Sequence, residues 1–130
     1  MKKVFKALFA TAIIFAIIII SAVIIVSNRM IGQVNAFDRS IIDVGQVSDG
    51  VYYGHSETDL VKVEVSVTVS SGKIQDIEIL KHECGKGLPA NEIVNDIIKN
   101  NDIEVDAVTG ATMSSEVIKD AVRNALRSGL

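Results

Sequence analysis

Cysteine occurs once in the 130 residues, proline once and tryptophan not at all, and there are only two histidines. Each scarcity closes off a class of protein. Cys84 on its own excludes an internal disulfide and a cysteine-rich metal site. His55 and His82 stand 27 positions apart, so a metal centre has little to be built from. No Gly-Lys-Ser/Thr triplet is present, which excludes a P-loop. Carboxylates are missing from the first 37 residues. All 16 lie at or after Asp38, where Lys and Arg number nine, a net charge of −7 for that part. Such a balance argues against nucleic acid, whose binding rests on cationic contacts to phosphates, and against flat docking on an anionic membrane.

In place of charge, the chain begins with one long apolar run. Val4–Val26 holds no carboxylate, proline or glycine and a single cation, Lys6; within it Ala7–Val26 is apolar except for Thr11 and Ser21. That length matches the ~20 residues that cross a hydrocarbon core of about 30 Å as a helix. Lys2, Lys3 and Lys6 lie at its start and only Arg29 follows closely, which predicts a cytoplasmic N-terminus and an outer remainder. A cleaved signal peptide is the rival reading, with Val34-Asn35-Ala36 as the cleavage site. Signal peptides, however, have apolar regions of about 7–15 residues, shorter than this run. No cysteine follows the span closely, so a lipoprotein anchor is excluded. The expectation is an uncleaved single-pass anchor over 1–27 in the cell membrane, a tether over 28–48 and an extracytoplasmic domain over 49–130.

The outer part predicts an α+β fold, a small antiparallel sheet packed by two helices. DGVYYGHS (Asp49–Ser56) is a turn followed by a short strand in which Tyr52 and Tyr53 face opposite ways. Val61–Val69 alternates five valines with Lys62, Glu64, Ser66 and Thr68, the period of a half-buried strand. SSGK turns the chain and Ile74–Leu80 returns as the second arm of a hairpin. The dry face of this sheet needs a cover. One helix opens at Pro89 with Ile93, Val94, Ile97 and Ile98 on one side; the other follows Ser114 with Val117, Ile118, Ala121, Val122, Ala125 and Leu126. Glu116 near its start and Arg123 and Arg127 near its end suit the helix dipole.

Ahead of this last helix the chain reads DAVTGATMSS, with four hydroxyls (Thr109, Thr112, Ser114, Ser115) in seven positions. A helix needs one N-cap. A plain β-to-α connection explains one hydroxyl and Gly110, and leaves the rest without a task. Hydroxyls and free N–H groups at a helix N-terminus also make an anion site, most naturally for phosphate. Both readings stand on the residues alone.

The run Asp106-Ala107-Val108-Thr109-Gly110-Ala111-Thr112 resembles the flavinylation motif of FMN-binding domains: Asp, two variable residues, Ser or Thr, Gly, Ala, Thr. The family is similar to flavin-carrying subunits of the sodium-pumping NADH:quinone reductase and of Rnf complexes, and includes small extracytoplasmic flavoproteins. DGVYYG, the hairpin and LKHECGKGLPANEIVNDII precede the motif in family order. The resemblance implies that a flavin transferase moves FMN from FAD onto Thr112 as a phosphoester, releasing AMP. Asp106, Thr109, Gly110 and Ala111 are then the recognition loop, and Ser114 and Ser115 bind phosphate or cap. His82, Gly85 and Gly87 match the His-and-glycine stretch that related small domains carry after the hairpin. Cys84-Gly85-Lys86 replaces the Thr-Pro-Gly of larger subunits, and Cys84 reads as an ordinary small residue.

The resulting expectation is a membrane-inserted electron-transfer flavoprotein that works with membrane or extracytoplasmic redox partners and binds no nucleic acid. With no hydride-donor site legible, an electron carrier is expected rather than a free-standing oxidoreductase. The alternatives are a non-redox tethered interaction domain and a flavin-dependent reductase of a small acceptor.

Overall fold

The structure, a computed structural model, describes residues 1–83 and 87–130. Its order is helix α1 (Lys2–Asn35), strands β1 (Gly50–Glu57), β2 (Lys62–Ser70) and β3 (Lys73–Glu83), helix α2 (Ile93–Asn100) and helix α3 (Thr112–Arg127). The strands form a three-stranded antiparallel sheet in the order β1-β2-β3. This is the expected α+β architecture preceded by one helix long and apolar enough to cross a membrane.

The alternating valines act as the sequence predicts. Val61, Val63, Val65, Val67 and Val69 are all buried, and their polar neighbours point away. Two bulges interrupt the pairing of β2 with β3, at Glu64/Val65 and Thr68/Val69. Each inserts one extra residue into β3 and resets which face follows. Ile74, Ile77 and Ile79 thus all turn inward; beyond the bulge at Leu80, His82 takes the inward position opposite Val63.

Helix α3 lies across β1 and β2 and is enclosed on nearly every side. Gly54 permits the close approach: a Cβ there would stand 1.9 Å from the Ala121 carbonyl oxygen and 2.7 Å from the Ala125 nitrogen. Val117, Ile118, Ala121, Val122, Ala125 and Leu126 are fully buried. Complete burial of such a side chain contributes about 1.5–3 kcal/mol, less for alanine. The opposite face carries Lys119, Asp120 and Arg123, also buried but paired. Arg123 meets Glu104 at 2.6 Å, Asp120 accepts from Ser56 at 2.6 Å, and Lys119 meets Glu116 at 3.4 Å.

Two boundaries differ from expectation. Pro89 opens a 3₁₀ turn (Leu88–Glu92), and the α-helix begins only at Ile93. The segment expected as a tether is part of the folded unit. α1 continues to Asn35, and Met30 and Val34, one turn apart, are buried in the domain core. Phe37 and Ile42 pack against the same core. Arg127 binds the Asp38 carboxylate, the Asp38 carbonyl and the Ser40 hydroxyl, each at 2.9 Å. The spacing of these apolar residues follows no single period beyond α1, so a reading of periodicity passes over them.

Candidate functional site

The segment leading to α3 is shaped by short-range hydrogen bonds. Asp102 Oδ1 accepts the Glu104 N–H at 2.9 Å, and the Val105 N–H reaches the Ile103 carbonyl at 2.8 Å. Val108 to Ala111 then form a turn closed by the Ala111 N–H on the Val108 carbonyl at 3.0 Å. Gly110 sits at its third position with φ +80°, the left-handed conformation a type II turn demands there. A Cβ on Gly110 would meet nothing within 4 Å, so backbone conformation alone calls for glycine.

The four hydroxyls divide in two. Ser115 is fully buried; its Oγ accepts the Val108 N–H at 3.0 Å and donates to the Ala111 carbonyl at 2.8 Å. It clamps the turn onto the first turn of the helix. Ser114 is buried as well, at 4% exposure. Thr109 and Thr112 are exposed, Thr109 at the tip of the turn and Thr112 as the first residue of α3. Ala111 occupies the N-cap position, and among the described residues no side chain caps the helix. The plain capping account of the hydroxyls therefore has no hydrogen bond behind it here. The first intrahelical bond runs from the Ser115 N–H to the Ala111 carbonyl at 2.9 Å, which leaves the N–H groups of Thr112, Met113 and Ser114 directed out of the helix end. A 16-residue helix with open N–H groups and an exposed hydroxyl at its first residue is suited to hold a phosphate bonded to that hydroxyl. Asp106 is exposed and lines a shallow polar groove with Asp96, Asn100, Asp102 and Glu104.

His82 reaches the site from β3. Its Nδ1 faces Asn91 Oδ1 in the 3₁₀ turn, an oxygen that accepts a proton carried on Nδ1. Its Nε2 is buried and meets no hydrogen-bond partner among the described residues. A buried polar atom without a partner costs about 1–3 kcal/mol, and among the described residues this one fits a site that a further group completes. Asn91, which orients the ring, is a residue the sequence reading did not single out; its i+9 spacing from His82 is no recognisable motif. Gly87 precedes the turn with φ −83° and accepts the Ala90 N–H at 2.9 Å, so its backbone does not itself require glycine. Gly85, with Cys84, lies outside the described residues. α3 packs against the 3₁₀ turn that carries Asn91, the partner of His82. Tyr53 and His55 are exposed on the open face of the sheet, while the Tyr52 hydroxyl donates to the Ser48 carbonyl at 2.8 Å.

The uncapped helix end, the exposed Thr112 and the orphaned His82 nitrogen fit a phosphate-bearing aromatic cofactor. The sequence model of the FMN-binding domain matches residues 59–127, more than half of the chain. The matched stretch begins just after β1 and ends at the last residue of α3, taking in His82 and the whole Asp106–Thr112 motif. This chain belongs to the FMN-binding domain family.

Proposed function

We propose that this membrane-anchored, flavin-binding protein carries its FMN covalently on Thr112 and passes electrons on the extracytoplasmic side of the membrane. The observation that carries the proposal is Thr112 itself, exposed at the uncapped start of α3 and ending the Asp-x-x-Thr-Gly-Ala-Thr run. In the attachment step the Thr112 Oγ1–P bond forms and the diphosphate bridge of FAD breaks. AMP departs with the other phosphate, and the hydroxyl proton leaves to solvent. A flavin transferase supplies the catalysis. The N–H groups of Thr112, Met113 and Ser114 would hold the esterified phosphate, with the helix dipole favouring its charge. Gly110 and Ala111 keep the approach free of bulk, and Asp106 and Thr109 present the exposed edge the transferase recognises. On the other side, His82 Nε2 and Gly87 are available to the ring. Bound FMN supplies one- and two-electron redox chemistry, while the protein supplies attachment, shielding and tuning.

The test is production of the full chain with a flavin transferase, followed by denaturation, intact mass and in-gel fluorescence. A mass gain of FMN less one water, with fluorescence that survives denaturation, is expected for the natural chain and is absent for Thr112→Ala. A natural chain that stays unmodified while a known substrate domain loads in parallel rules the covalent reading out. Loading of Thr112→Ala at normal levels rules out the residue. Electron transfer is then read by reducing the loaded protein: a carrier is reoxidised by a protein or membrane partner, a reductase by a small soluble acceptor in multiple turnovers.

A further inference from the structure

Both halves of the site lie at one end of the domain, and strand and helix registers identify that end. β1 runs antiparallel to α3: Tyr52 adjoins Gly129, Gly54 adjoins Ala121 and Ala125, and Ser56 is bonded to Asp120. Eight residues back from Asp120 along α3 is Thr112, a rise of about 12 Å at ~1.5 Å per residue. One residue on from Ser56 is Glu57, the last of β1, and the Thr58–Val61 turn follows directly, closed by the Thr58 N–H on the Val61 carbonyl at 2.8 Å. Thr112 and the Thr58–Val61 turn therefore lie toward the same end of the domain. β3 ends at the same place, since His82 pairs with Val63 and Glu83 with Lys62. At the opposite end, Asn101 accepts from the Ile74 N–H at 2.8 Å and donates to the Gly72 carbonyl at 3.2 Å. α2 has climbed away from the site by then, and residues 102–111 return to it.

α1 enters at the site end. Arg29 Nε lies 3.2 Å from Asp59 Oδ2. Gln33 Nε2 donates to Asp59 Oδ1 at 2.8 Å, and Gln33 Oε1 accepts the Asp59 N–H at 3.0 Å. From there the chain climbs toward the far end, where Gly45 lies beside Gly72. Val26, the last residue of the apolar run, is three residues before Arg29 in an unbroken helix, about 5 Å along its axis. The headgroup layer on one side of a bilayer is roughly 5–8 Å deep. Leu60 and Leu88 stand at this same end with 58% and 61% exposure, although Ile41, Val51 and Leu130 are exposed elsewhere.

We infer that the end of the domain bearing Thr112 and His82 faces the bilayer at the level of the lipid headgroups, held there by the docked end of α1. The inference rests on α1 spanning the membrane. The occupant of the surface is the headgroup layer, positioned by the anchor and not by charge, since the outer part is net acidic. For a flavin on Thr112, this orientation favours electron donors and acceptors resident in the membrane over soluble ones.

The test uses the full chain without flavin in phosphatidylcholine vesicles doped with a nitroxide-headgroup lipid. In a Cys84→Ser background, a fluorophore is attached at Leu60→Cys or at Lys73→Cys; Leu88→Cys and Asp76→Cys serve as a second near and far pair. Near labels are expected to be quenched several-fold more than far ones. Equal quenching, or stronger quenching at the far positions in a chain that floats with the vesicles, overturns the orientation. A chain that does not float removes the anchor and the inference with it. Because no flavin is present, none of these outcomes depends on the covalent attachment, which the mass measurement decides separately.

Discussion

Ser115 Oγ holds the Val108 N–H and the Ala111 carbonyl at once, so a single buried hydroxyl sets the shape of the turn that presents Thr112. Ser115→Ala is expected to cost about 1–3 kcal/mol, the penalty of leaving the Val108 N–H without its partner. Chemical denaturation reads that loss, and a slower rate of covalent loading should accompany it as the turn loosens. Ser114→Ala offers the contrast, with loading largely retained if that hydroxyl only assists the phosphate. The sequence shows four hydroxyls and a glycine in a short run. It does not show which hydroxyls turn inward, because that depends on how the first turn of α3 is rotated against the core. In the fold, two are buried and two remain exposed.

Among the elements, α3 is the most exacting. Its contact with β1 tolerates no side chain at position 54, because the Ala121 carbonyl oxygen occupies the space a Cβ would need. Gly54→Ala should therefore destabilise by about 1–3 kcal/mol or more, seen as a lower denaturation midpoint with an unchanged slope. The segment that Arg127 of α3 holds, around Asp38 and Ser40, carries a pH signature. Asp38, an exposed carboxylate, is held below its ordinary value of 3.8, chiefly by the Ser40 N–H, with some loss of solvation opposing and the Ser40 hydroxyl and Arg127 assisting. Because the folded value is depressed, this carboxylate contributes its full stabilisation above the unfolded value, and the contribution disappears as pH falls through the folded one. The stability difference between the natural chain and Asp38→Asn should thus be constant at neutral pH and shrink to nothing in acid below about 4. A difference that grows in acid would contradict the assignment.

For the whole molecule, the apolar helix and the domain are continuous: Met30 and Val34 near the end of α1 are buried in the domain core, and Asp38 and Ser40 then bind Arg127 of α3 before the sheet begins. A fragment that starts at Asp49 lacks Met30, Val34, Phe37 and Ile42 from its core. Patterns local in the chain were sufficient for much of the rest. A 20-residue run that is apolar but for Thr11 and Ser21 gives a helix long and apolar enough to cross a membrane, whatever surrounds it. Alternating valines specify a half-buried strand, and the Asp106–Thr112 run points to the family whose sequence model matches the chain. What the tertiary structure alone decided depends on contacts distant in sequence. Strict alternation carried on from Ile77 and Ile79 would turn His82 outward; the bulge at Leu80 turns it inward, onto Asn91. Likewise, no local pattern marks Arg29 and Gln33 as partners of Asp59, 26 to 30 positions away. Side-chain period is a property of one segment, whereas strand register and helix docking arise only when two segments meet.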